Sequence, residues 1–534
     1  MKQAIYNYLL VSFFILFAAS CEDLEQTNID PNNPTEVHSN MLFSGTQRRM
    51  VDYVYDVWFS GRQCLTYSQY WAQRNYTEED RYQIRESVNN NYFNYFYTSI
   101  AGMDGVIAMN TDSETADAAA VYGDNNNQIA AAKIMKVWMY GVITDTWGNV
   151  PYSETGKLKE GIYYPKYDDQ KDIYASLIQE LTDAADMIDE SELAFIGGDM
   201  IYYGDASKWK KFANSLKCRL AVHLSKVDPN WKTYITEAIN SGIFESNDDV
   251  AAYHYSATSP EYSMFYDGTF IEARNDFTIT RTFMNILKGV RDANNGKTHP
   301  WEGVEDPRLK MFTTPGPGEN GDNYIGIPYG ITSAQTSPFR AKAPDWGINP
   351  PAHLNPDFPI PLMTYAEVLF ILSEYRGFSE EDYLNGVEAS IEYWADVTGQ
   401  QPETSNLSSY LAAVKEDGAT PETVALQKYI DLYLNGTEAW TEIRRTGYPD
   451  QLIKPGEITV GADENNGTEL RFNAMSDTKG LIIARVKYPT NESTLNGENF
   501  NAAVEKLEDG KNNYYSPMYW DVRRTGGEIH PVNK

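Results

Sequence analysis

Cysteine is nearly absent: three residues in a chain of 534 cannot frame a disulfide scaffold. Histidine is almost as scarce. The six residues His38, His223, His254, His299, His353 and His530 are scattered, and no two have the i, i+4 spacing or the cysteine companions of a metal site. Basic residues are outnumbered, 44 Lys and Arg against 75 Asp and Glu, for a net charge of −31. That balance argues against nucleic acid, whose phosphates want a basic stripe, and disfavours docking on anionic lipid. There is no Gly-x-Ser-x-Gly elbow for a nucleophile. Gly296-Lys297-Thr298 echoes a phosphate-binding loop, but Arg291 stands where its first glycine should be. Carboxylates are so numerous that no acid/base couple can be singled out by spacing, so nothing in the chain supports catalysis. The acidity is compatible with a bound structural calcium, yet no EF-hand spacing occurs and no metal ligands or cofactor are assigned.

Long apolar runs are also missing, with one exception at the start. Lys2 is followed by Leu9 to Phe17, then by Ala18-Ala19-Ser20-Cys21. The run is too short to span a membrane and ends in small residues before a cysteine, the pattern of a secretory signal with a bacterial lipobox. Residues 1–20 are therefore read as a lipoprotein signal peptide, with cleavage before Cys21 and acylation of that residue. Glu22 and Asp23 resemble the acidic signal that sends some Gram-negative lipoproteins to the outer surface. Residues 21–40 form a lipid-anchored tether, rich in Asn and Pro around Asp30-Pro31-Asn32-Asn33-Pro34. Cys64 and Cys218 are expected to be free buried thiols.

What the chain has in abundance is aromatic surface: 39 Tyr and 11 Trp, more than a core alone requires. Such amphipathic rings serve helix seams and wet binding surfaces alike. Apolar residues recur at helical spacing from Met41 to about Gln73, through Met50, Val54, Val57 and Trp58, and another helix is expected near Phe93–Met109. Helical periodicity is clear from Ile129 to Ile143, Ile173 to Ile188, Trp209 to Val227 and Ile235 to Ile243. It fades between about 251 and 361, where only Thr280–Val290 is plainly helical. Helices return at Leu362–Phe378, Asp382–Val397, Thr420–Leu434 and Glu438–Arg445. The stretch Asp145-Thr146-Trp147-Gly148-Asn149-Val150-Pro151-Tyr152 must break the helix before it, because Gly148, Asn149 and Pro151 are poor helix residues. Its large side chains point to a packed turn. The fold class is thus mainly α, with a helical scaffold in 41–250 and 362–447 and a loop-rich part in 251–361 and 448–534. A hundred irregular residues inside a compact protein usually carry binding or contact duties.

An ordered set of segments resembles the SusD/RagB family of outer-membrane nutrient-binding lipoproteins, in its SusD-like second subfamily. The set comprises the Cys21 lipobox, Asn33-Pro34-Thr35, Asp145 to Tyr152, Trp209-Lys210-Lys211-Phe212-Ala213-Asn214-Ser215-Leu216 and Asp306-Pro307-Arg308-Leu309. It continues with Met363-Thr364-Tyr365-Ala366-Glu367-Val368, Glu438-Ala439-Trp440 and Arg444-Arg445-Thr446-Gly447-Tyr448-Pro449. The resemblance implies four tetratricopeptide-like helix pairs packed on a loop-rich ligand-binding half. It also implies a glycan ligand and a SusC-like TonB-dependent β-barrel partner at the outer membrane, without catalysis. A peptide-binding member of the same family is the alternative; a glycoside hydrolase and a purely architectural adaptor are further ones.

Sugars offer flat C–H faces to aromatic rings and hydroxyls to polar neighbours. The candidate ligand-binding residues are accordingly the aromatics of irregular segments, Trp71, Tyr76, Tyr266, Trp301, Tyr329 and Trp346, with Trp346 foremost. Arg274, Asn275 and Asp276 are the hydrogen-bonding candidates. Trp147 and Trp440 are read as structural.

Overall fold

Eleven helices of ten or more residues make up the scaffold of the computed structural model, which describes residues 37–292, 296–297, 300–318 and 323–525. The signal segment, Cys21 and the tether up to residue 36 lie outside the described residues. The long helices are α1 (Ser39–Val54), α2 (Glu86–Thr111), α3 (Asn125–Trp147), α4 (Gln170–Met187), α5 (Ala206–His223) and α6 (Trp231–Ser241). They continue as α7 (Tyr365–Tyr375), α8 (Glu380–Thr398), α9 (Thr404–Asp417), α10 (Pro421–Asp431) and α11 (Gly436–Thr446). Helices adjacent in sequence pack as pairs, α3 with α4, α5 with α6, α7 with α8 and α10 with α11, while α7 also lies on α5 and α10. This is the tetratricopeptide-like stacking that short joins between amphipathic helices imply. No described helix is long and apolar enough to cross a membrane.

Helix α3 is the centre of the stack. The Asp124 Oδ1 caps it by accepting the Asn127 N–H at 2.9 Å. From Ile129 to Trp147 nearly every side chain is buried, because α2 and α4 flank the helix. The helix runs through Asp145 and Thr146 and stops only at Gly148, whose φ of +84° suits glycine. Val150–Pro151 then pairs antiparallel with Tyr167–Asp168. Trp147 is 1% exposed; its Nε1 donates to Asn89 Oδ1 at 2.9 Å, and its ring packs on Phe59, Phe93 and Phe96. The packed turn expected from the sequence is there, and its tryptophan is interior.

The loop-rich segments are stapled to the scaffold by short antiparallel pairs. Strand β1 (Trp71–Gln73) pairs with Phe277–Ile279, and Ala251–Tyr253 pairs with Ile360–Met363. A buried ionic knot adds to them. Arg308, fully buried, donates from Nε and Nη2 to the two oxygens of Asp306 at 2.9 and 2.7 Å. The same guanidinium reaches Ser390 on α8, Tyr410 on α9 and Gln427 on α10. Cys64 and Cys218 are both free and buried, and burial pushes the Cys218 thiol up to about 12, so both are unreactive packing groups.

Helix α9, the short helix Ser333–Arg340 and Gly497–Glu505 in the tail were not expected from the sequence. Helix α9 has a weak apolar face, with only Tyr410 and Val414 buried. Ser333–Arg340 contains Pro338, which reads as a breaker, but a Thr332/Gln335 capping box secures its first turn.

Candidate functional site

Three irregular segments meet at Asp345. Its Oδ2 takes an ion pair from Arg74 Nη2 at 2.7 Å, and its Oδ1 accepts from Asn275 Nδ2 at 2.7 Å. The Arg74 loop, the Arg274–Asp276 segment and the 345–349 turn are thereby held together. Tyr76 (58% exposed) and Ile348 (84% exposed) project from this junction.

The neighbouring wall is built on a π-helical turn, Val57–Cys64. Asp56 starts it, accepting the N–H groups of Trp58 and Phe59 at 3.0 and 2.6 Å, while Tyr92 donates to its other oxygen. Gly268 lets the 264–271 turn press against this wall, since a Cβ there would stand 2.4 Å from Val57 Cγ1. Trp58 is left half-buried at the surface, its Nε1 donating to Glu272 at 3.2 Å. The guanidinium carbons of Arg62 and Arg274 lie 4.7 and 5.0 Å from its ring. Along the 264–271 turn runs a file of half-buried rings: Tyr262 lies 5.0 Å from Tyr266, and Tyr266 lies 5.1 Å from Phe270. Aromatic rings flanked by Arg274, Glu272, Asn275 and Asp345 make a shelf with the chemistry to hold a flat, hydroxylated ligand.

The candidates from the sequence fall into two groups. Tyr76, Tyr266, Arg274 and Asn275 keep solvent exposure on or beside the shelf. Trp71, Asp276, Trp301, Tyr329 and Trp346 do not, and for them the expected surface role is corrected. Trp71 and Trp346, each 2% exposed, meet edge to face at 5.4 Å and pack with His353, so they form the floor beneath the junction. Asp276 is spent on Arg62 at 2.7 Å. Trp301 sits by Tyr410 of the ionic knot, and Tyr329 by Phe472, both away from the shelf's rings and both buried. The reason is the stapling: β-pairs turn the irregular region inward, where large apolar groups pack. Trp58, Tyr262 and Phe270 were missed. Trp58 lies in a segment read as plain helix, and Tyr262 and Phe270 are set apart only by their i, i+4 spacing to Tyr266.

Asp80 lies below the Arg74 loop, and burial pushes its carboxyl up to about 8, outweighing the Gln73 N–H that reaches Oδ2 at 2.8 Å. Its Oδ1 has no hydrogen bond. The unfolded value is about 3.9. A raised folded value means a contribution to stability that is complete below pH ~4 and is lost as pH rises through about 8. Asp80→Asn removes that loss. Urea midpoints should show the variant gaining on the wild type, on the order of a few kcal/mol, between pH 5 and 8.5. A difference independent of pH would refute the assignment.

A family model described as "Starch-binding associating with outer membrane", SusD-like_2, matches residues 31–473. The chain belongs to this SusD-like family. Among solved structures, a chitin-binding protein is 26% identical with a TM-score of 0.69, aligned over 90% of this chain and 100% of its own. A SusD homologue from Parabacteroides distasonis is 22% identical, TM-score 0.71, over 90% and 98% of the two chains. A chitin-binding SusD homologue from Flavobacterium johnsoniae is 20% identical, TM-score 0.66, over 90% and 98%. No curated protein matches the chain.

Several of the segments that mark this SusD-like chain converge inside the scaffold, away from solvent. His223 Nε2 lies 2.9 Å from Glu438 Oε1, and its Nδ1 lies 2.9 Å from the hydroxyl of Tyr174, which also donates to Asp145. Burial alone would raise the Glu438 carboxyl, but His223 and Arg219 more than offset it and hold it below the usual carboxylate range. His223, Glu438 and Glu442 offer ligand atoms within 4.8 Å of one another. The Lys428 ammonium already stands 3.4 Å from Glu442, 3.8 Å from Glu438 and 4.0 Å from Glu367. An imidazole and a lysine among carboxylates make a balanced ion network, not the oxygen cage calcium takes. The adjoining cavity, about 30 Å³, has room for about one water and none for a sugar. Asp145, Glu367 and Glu438, each from one of the resembling segments, are thus interior residues of the scaffold.

Proposed function

We propose that this chain is a surface lipoprotein of the outer membrane, anchored through Cys21, that binds neutral glycans on the shelf. It then delivers them to a SusC-like TonB-dependent β-barrel transporter. Membership of a family described as starch-binding and outer-membrane-associated supports this reading, and so does likeness to a chitin-binding protein. The single observation that carries it is the file Tyr262, Tyr266, Phe270 beside Arg274, Asn275 and Asp345, rings for sugar faces and polar groups for hydroxyls. Oligosaccharides of N-acetylglucosamine are the first ligands to try, with starch-type glucans second. The role is binding, and bound oligosaccharide is expected to be recovered intact.

Affinity electrophoresis against a glycan panel, with a peptide panel beside it, is the test. Retardation by at least one neutral glycan supports the proposal. Retention by peptides alone would transfer the chain to the peptide-binding members of the family, and cleavage of the oligosaccharide would make it a hydrolase.

A further inference from the structure

One concavity is rich in positive charge although the chain carries −31 overall. It has a volume of about 290 Å³ and opens beneath Gly148, where the segment around Lys506 and Pro517–Arg524 covers the first turn of α4. The wall includes Arg485, which is 2% exposed. Its Nε donates to Val486 O at 3.1 Å and its Nη2 to Trp147 O at 2.6 Å; the Tyr488 ring lies 4.2 Å from the guanidinium carbon. Among the described residues no carboxylate pairs with Arg485, and its Nη1 makes no hydrogen bond. A buried guanidinium without a counter-ion costs stability that a bound anion would offset.

The surroundings agree. Gly148 leaves the corner at Nη1 open, since a Cβ there would lie 3.5 Å from Met518 Sδ and 3.9 Å from Nη1. Lys171, Lys506 and Arg524 complete the lining. Asp169 is the one acidic side chain among the lining residues, and it is taken up by Lys506 at 2.6 Å. The 18-residue helix α4 begins here with Gln170, adding the positive end of its dipole. Asn149 Oδ1 accepts the Gln170 N–H at 2.9 Å and fixes the turn.

We propose that this cavity binds an oxyanion, the sulfate, phosphate or carboxylate group of a ligand, through Arg485, Lys171, Arg524 and the α4 N-terminus. The site is independent of the aromatic shelf and does not require that the shelf bind glycans. Titration calorimetry on the full mature chain at constant ionic strength is the test, with inorganic sulfate, inorganic phosphate, glucuronate and glucose as probes. The comparison is Lys171→Gln/Arg524→Gln, two exposed side chains; Arg524 also donates to Met518 O at 2.6 Å and Pro517 O at 3.1 Å, so an unchanged circular dichroism spectrum and thermal midpoint are required of the variant. At least one of the three anions, but not glucose, should bind the wild type, and the double variant should bind it at least about tenfold more weakly. Binding of sulfate or phosphate marks a free-anion site, and selective binding of glucuronate marks an acidic-sugar site; both support the proposal. Absence of binding by all three anions, or equal binding by wild type and variant, overturns it.

Discussion

Asp306→Ala is expected to lower stability by about 3–5 kcal/mol, the range for removing one partner of a buried ion pair. The carboxylate holds a guanidinium that is fully buried and that joins α8, α9 and α10. Without it, Arg308 keeps its charge in the interior with only neutral hydrogen-bond partners. The loss should exceed that of Asp306→Ala combined with Arg308→Met, because the double variant leaves no buried charge behind. Urea denaturation followed by circular dichroism would show this ordering. A single variant as stable as the wild type would mean that water reaches Arg308 and that the knot does not hold the three helices.

Trp147→Ala is expected to cost a similar amount, about 3–5 kcal/mol, as truncations of buried aromatics do. The indole fills the space between Phe59, Phe93 and Phe96 and satisfies Asn89, so its removal leaves a cavity and a stranded amide. Because Trp147 is interior, ligand preference should be unchanged in whatever fraction remains folded. A variant of normal stability that no longer binds ligand would reverse the structural assignment of this turn.

The helices were legible where one face is apolar and the other wet, as in α4 and α5. Helix α3 was readable from its apolar run even though it is buried on nearly all sides. Helix α9 was not, since two buried residues make too faint a face. The site was harder. Trp71 and Trp346 share the local composition of Tyr76 and Tyr266, Gly, Pro, Asn and aromatics, and nothing local says which rings face inward. That is decided by the pairing of Trp71 with Ile279, a contact between residues some two hundred positions apart. Arg274 and Asn275 could be found because polar groups in an irregular segment are usually outside. Asp276 followed the same logic and failed, because Arg62 from a distant helix compensates its burial. Trp58 is the opposite case, an apparent core residue left at the surface by a π-helical turn that no spacing rule announces.

If the Tyr262–Phe270 file with Arg274 holds the ligand, calorimetric titration with an oligomer of N-acetylglucosamine, or with whichever neutral glycan retards the protein best, will register its loss. The wild type should be compared with Tyr266→Ala/Arg274→Ala, both half-buried positions whose truncation leaves the core intact. Affinity should be lower by about thirtyfold or more in the variant, roughly 2 kcal/mol, with an unchanged thermal midpoint. Equal affinity in the two proteins would contradict that assignment and place the glycan elsewhere on the molecule.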